Sequence, residues 1–82
     1  MNHSEEDYTI YIKEQRLRIG ARLRELRKAC GYSQTILADR MKVSRTTVSK
    51  IESGSFACSI DYLARFSRHL EFDINLLERT DS

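Results

Sequence analysis

The chain has 82 residues, with 14 Lys and Arg against 12 Asp and Glu, 40% hydrophobic and 32% charged residues, three Gly, two Cys and no Pro. That is the composition of one small globular domain. It excludes a large enzyme with its own deep cleft, a disulfide framework or all-Cys zinc site, a membrane span of about 20 apolar residues, and the Gly/Pro-punctuated pattern of an all-β fold. The polar, acidic start Met1–Asp7 reads as neither a signal nor a transit peptide, so a cytoplasmic location is expected.

The first predicted element is a long helix over 5–29, about 37 Å at 1.5 Å per residue. Tyr8, Ile12, Gln15, Ile19, Leu23, Leu26 and Cys30 follow at gaps of three or four, one apolar stripe with a polar break at Gln15. Ser4 and Asp7 resemble a capping box, and Glu5, Glu6 and Asp7 suit the positive end of the helix dipole. Gly31 ends the helix.

Ser33 caps a second helix opening at Gln34, with Ile36, Leu37, Ala38 and Met41 as its apolar residues. Lys42-Val43 leads to Ser44, the next cap. The third helix runs from Arg45 to about Ser53 and stops at Gly54. Val48 and Ile51 face inward, which leaves Arg45, Thr46, Ser49, Lys50 and Ser53 to face outward. Ser59 caps a fourth helix with Asp61 in its first turn and a core stripe of Ile60, Leu63, Phe66 (or Ala64) and Leu70. Asp73 caps a short fifth helix from Ile74 to about Glu78. The expected architecture is all-α, compact and five-helical. Residues 1–16 form an N-terminal extension of the first helix, 17–78 the domain proper, and 79–82 a frayed tail.

Charge is unevenly spread. Residues 1–12 carry net −3, residues 13–50 net +8 from eleven Lys/Arg and three Asp/Glu, and residues 51–82 net −3. A basic middle between acidic ends fits a surface that binds a polyanion. The basic stretch contains Gly31–Gly54, where a short helix, a tight turn and a polar-faced helix make a helix-turn-helix. The second of these helices must be polar on one face to enter a major groove, while Val48 and Ile51 bury the other face and fix its angle. Ala38 is small where the two helices cross, and Val43 plugs the turn.

These residues resemble a known family. Ile19-Gly20-x-Arg22-Leu23-Arg24-Glu25-Leu26-Arg27, Gly31-Tyr32-Ser33-Gln34, Leu37-Ala38, Val43-Ser44-Arg45-x-Thr47-Val48-Ser49-Lys50-Ile51-Glu52-x-Gly54 and Leu63 through Leu70 are similar to the lambda-repressor/Cro-type helix-turn-helix domain, the XRE family. The resemblance covers 19–77. It implies a five-helix domain that binds double-stranded operator DNA, usually as a homodimer, in a transcriptional regulator. It also places Gln34 as a phosphate ligand that braces the recognition helix. Ser44, Arg45, Thr46 and Lys50 fall at groove-facing positions, and Thr47 and Ser53 near the DNA backbone. Arg27 and Glu52 match a partly buried ion pair. The family usually has Gly where this chain has Lys42, and often where it has Glu71. Both residues are therefore expected to be left-handed unless the turns differ, and Lys42 adds charge near the DNA. The candidate DNA-binding residues are thus Gln34, Lys42, Ser44, Arg45, Thr46, Thr47, Ser49, Lys50 and Ser53.

Cys30 and Cys58 read as reduced packing residues. His3 and His69 lack ligand spacing, so no metal is expected, and no cofactor. No paired carboxylates or nucleophile–base arrangement suggests an enzyme. An antitoxin-type module that grips a toxin protein as well as its own operator is the alternative reading. For the homodimer, the surface of the fifth helix around Leu76, beside Ile74 and Leu77, is favoured over Tyr8, Tyr11 and Ile12 in the N-terminal extension.

Overall fold

The computed structural model describes residues 5–79. Four α-helices occur among them: α1 (Glu5–Ala29), α2 (Gln34–Met41), α3 (Arg45–Glu52) and α4 (Ile60–Leu70). The expected cap at Ser4 and the tail residues 80–82 lie outside the described residues. None of these helices is long and apolar enough to cross a membrane.

The helix starts and stops follow the local chemistry. Ser33, Ser44 and Ser59 each hold an extended backbone. Each accepts an amide hydrogen bond three residues on, from Ile36, Thr47 and Tyr62 respectively, which satisfies one orphan N–H per helix. Gly31 and Gly54, at φ +80° and +79°, close α1 and α3. The amide of the residue after each glycine turns back five residues, Tyr32 to Arg27 O and Ser55 to Lys50 O, the pattern of a Schellman motif.

Lys42 and Glu71 take the same left-handed conformation at φ 59° and 58°, as expected of residues standing where glycine is usual. A side chain there carries a steric penalty of about 1–2 kcal/mol. Lys42→Gly is therefore expected to stabilise the domain by about 1 kcal/mol, less the unfolded-state entropy that glycine adds. A higher urea midpoint at unchanged slope checks it.

α3 lies at the centre, packed against α1 and α2, and α4 closes against both α2 and α1. Leu23, Leu37, Ala38, Met41, Val48, Ile51, Phe66 and Leu70 are buried. Ile19, Leu26, Val43, Leu63 and Phe72 pack around them. Val48 and Ile51 point inward as their spacing predicts, and of the Phe66/Ala64 alternatives Phe66 fills the core while Ala64 is exposed.

Several expectations fail. Residues 72–79 form no helix. Ile74-to-Glu78 would give little more than one turn, whose nucleation is unfavourable without packing. Phe72 already closes that edge of the core, and Leu76 and Leu77 are 94% and 83% exposed. Ile36 is exposed because Leu37 and Met41, one turn apart, face the core, and Ile36 sits about 100° round the helix from Leu37. Ile60 opens α4 one turn before the core begins at Leu63 and is 69% exposed. Cys30 is exposed beyond the last core turn of α1, whereas Cys58 is half-buried and packs against the core. Burial pushes the Cys58 thiol above its ordinary value. The stripe on α1 is buried only in part, since Tyr8 and Ile12 remain exposed.

Candidate nucleic-acid interface

The polar face of α3 begins at its cap. Ser44 Oγ accepts the Thr47 amide at 3.0 Å and lies 2.8 Å from Thr47 Oγ1. Arg45, Thr46 and Lys50 are exposed along the helix, and Val48 and Ile51 are buried on its other side. Thr47 and Ser49 are half-buried, so Ser49 is less outward than its position implies. Ser53 is exposed, and its Oγ donates to Lys50 O at 3.1 Å. Lys42 is exposed in the turn between α2 and α3.

Beneath this face lies a polar network that fixes α3. Arg27 on α1 donates Nε to Glu52 Oε2 at 2.6 Å and Nη2 to Glu52 Oε1 at 3.0 Å, a two-point pairing. Its third nitrogen, Nη1, donates to Tyr32 O at 2.7 Å, in the turn before α2. Arg27 and Glu52 are both only 6% exposed. Gln34, the first residue of α2, donates Nε2 to Glu52 Oε1 at 3.1 Å and accepts Arg45 Nη1 at 3.4 Å. One run of contacts thus links α1, both ends of α3 and the start of α2. No buried side-chain polar atom among the described residues lacks a partner.

Other residues shape the face, most of them without any signal in the sequence. Arg65 on α4 donates to Met41 O at 2.7 Å, which satisfies an end carbonyl of α2 beside the turn. No local pattern links residues 41 and 65. Arg40 stands 5.0 Å from the Tyr32 ring centroid, and Lys50 Nζ 5.2 Å from that of Phe56, both within cation–π range. Gly20 on α1 meets the last turn of α3 so closely that an added Cβ would lie 2.6 Å from Glu52 O. The available signal for Gly20 is a glycine inside an otherwise helical pattern, which costs about 1 kcal/mol relative to Ala and so points to a packing reason.

Comparison with known proteins agrees with this geometry. Residues 18–80 match the family model described as a helix-turn-helix domain. The chain is 33% identical over 64 residues to the ImmF control region 10 kDa protein of Bacillus phage phi105, covering 78% of this chain and 71% of that one. It is 50% identical over 46 residues to a provisionally named HTH-type transcriptional regulatory protein of Pyrococcus furiosus. That match covers 56% of this chain but only 15% of the length of the archaeal protein. No solved structure gives a significant match. With the family model covering most of its length and the capped helix pair, tight turn and polar-faced second helix all in place, the chain belongs to the helix-turn-helix domain family, in its lambda-repressor/Cro (XRE) type.

Proposed function

We propose that this domain binds double-stranded DNA sequence-specifically, as the DNA-binding part of a transcriptional regulator. The supporting observation is the two-sidedness of α3. Val48 and Ile51 are buried while Arg45, Thr46 and Lys50 are exposed, on a stretch whose flanking segment carries most of the positive charge. Residues 17–78 act as the DNA-binding unit and 1–16 as an extension of it. Gln34, Lys42, Thr47 and Ser53 anchor phosphates, and Ser44, Arg45, Thr46, Ser49 and Lys50 address the groove. One recognition helix reads too few base pairs, so two copies act together, with their α3 helices about 34 Å apart on one face of the DNA. The names of the two relatives, a transcriptional regulator and a phage control-region protein, fit this reading.

Arg45 offers two donors to guanine O6 and N7. Arg45→Ala is expected to weaken specific binding by about 1–3 kcal/mol and to relax preference at one base pair. Lys42→Ala is expected to weaken all sequences alike and to reduce the salt slope by about one. Selection from random duplexes, followed by titration of base-substituted sites, measures both. An Arg45→Ala protein with unchanged affinity and preference would refute the assignment.

A further inference from the structure

Lys50 is the basic residue of the last turn of α3. The positions three and four residues from it are Thr46, Thr47, Ser53 and Gly54, so no neighbour on the helix face offers it a carboxylate. Residues 53–59, the loop that follows, contain no Lys, Arg, Asp or Glu. They do supply one aromatic ring. Lys50 Nζ lies 5.2 Å from the centroid of Phe56, and a ring face attracts a cation through its quadrupole.

The ring is held through the backbone. Lys50 O accepts three donors from the same loop: Ser55 N at 2.9 Å, Phe56 N at 3.2 Å and Ser53 Oγ at 3.1 Å. Ser53 Oγ and Ser55 Oγ lie 2.9 Å apart. The residue whose ammonium meets the ring thus also anchors the peptide that carries it. Phe56 walls a groove together with Ile12, Ile19 and Ile51, and at 41% exposure it remains open to the solvent side.

We propose that Phe56 is a positioning residue for DNA recognition: its ring holds the Lys50 ammonium at the C-terminal end of α3 and makes it a reader of one base pair. This deepens the DNA-binding reading above and rests on it. A lysine is a compact charge on a flexible four-carbon stem. Left free, it follows whichever acceptor is near and discriminates little. On a helix the stem leans toward the N-terminal end. The ring, carried by the segment after α3, draws it toward the C-terminal end instead. The two cations of the polar face are thereby kept apart. Arg45 and Lys50 stand five residues, about 7.5 Å, apart along the axis and address different base pairs. The ammonium has three donors, so contact with the ring leaves others for guanine O6 or N7. Ordering the side chain before DNA arrives lowers the cost of that contact.

NMR of the free chain reads the contact, and titration of base-substituted duplexes, chosen by selection, reads its consequence. In the wild type, ring current is expected to move the Lys50 ε-methylene protons upfield. Phe56→Leu and Phe56→Met, which keep an apolar side chain on the groove, are expected to return them to their ordinary position. Both variants are expected to weaken the best duplex by about two- to fivefold, the strength of an exposed cation–π contact. The same factor of discrimination is lost at the base pair that Lys50→Met identifies. Discrimination at the base pair that Arg45→Ala identifies stays, which a general loosening of α3 would not allow. Phe56→Tyr is expected to behave as wild type, and Phe56→Leu to change nothing further once Lys50→Met is in place. Lys50 protons at their ordinary position in the wild type overturn the contact and the role with it. An upfield shift combined with unchanged or tighter binding by Phe56→Leu overturns the role alone. So does a loss that is equal at both base pairs, that persists beside Lys50→Met, or that Phe56→Tyr shares. A wild type that prefers no duplex overturns the DNA-binding reading itself, together with the role, even where the shift is present.

Discussion

Glu52→Gln is expected to destabilise the domain by about 3–5 kcal/mol, a large fraction of what a chain of this size has. The substitution preserves shape but leaves the Arg27 guanidinium charged and without its counter-charge at 6% exposure. Gln34 loses a charged acceptor at the same time. An exposed pair would give at most about 1 kcal/mol, and burial is what raises the expectation. Arg27→Met combined with Glu52→Gln removes the stranded charge, so the double variant is expected to recover much of the loss. Urea denaturation of the four proteins of this cycle yields the coupling. Strictly additive effects would show that the two residues act independently. On the proposed function, specific DNA affinity stays reduced even in the recovered double variant, because α3 has lost its tie to α1 through Arg27.

Gly20→Ala is the second large effect, at about 3 kcal/mol, the upper end of what an added methyl costs in a packed site. The new Cβ would lie 2.6 Å from Glu52 O, and closer still to Ile51 O. These are backbone atoms of a helix terminus and cannot rotate away as a side chain could, so α1 must back off from α3. Retreat would strain the Arg27–Glu52 pairing and open the contact at Gly54, where an added Cβ would meet Leu17 Cδ2 at 2.8 Å. Alanine's better helix propensity, about 1 kcal/mol over glycine, acts in the opposite direction and is outweighed. The expected loss corresponds to roughly 12–24 °C in thermal midpoint for a domain of this size. A midpoint equal to or above that of the wild type would show that the approach is looser than the structure has it.

The sequence made legible whatever depends on neighbours along the chain. Ser33, Ser44 and Ser59 announced the helix starts, Gly31 and Gly54 the stops, and the three-residue spacing of Val48 and Ile51 the buried side of α3. Lys42 and Glu71 were expected to be left-handed from the glycines they replace. What failed depended on distant packing. Ile36 and Ile60 are as apolar as Leu37 and Leu63, and only the position of neighbouring helices decides which of them is covered. The fifth helix had a cap candidate and apolar residues but no free core surface to dock on. The Arg65–Met41 bond and the Gln34–Glu52 link join residues 24 and 18 apart, beyond any local pattern. For the candidate DNA face, residue types and facing were readable from spacing. The partial burial of Ser49 was not, because it arises from surroundings rather than from α3 itself.

The buried Arg27–Glu52–Gln34 network also bears on how the domain responds to heat. Unfolding a chain of 82 residues changes heat capacity by only about 1 kcal/mol/K, so its stability curve is broad. Hydration of charged groups becomes less favourable as temperature rises, and the penalty for keeping the Arg27 and Glu52 charges out of water falls accordingly. Apolar burial gains nothing comparable over the same range. The setting of α3 against α1 therefore depends more on this network, and relatively less on the small core, as the protein approaches its melting temperature.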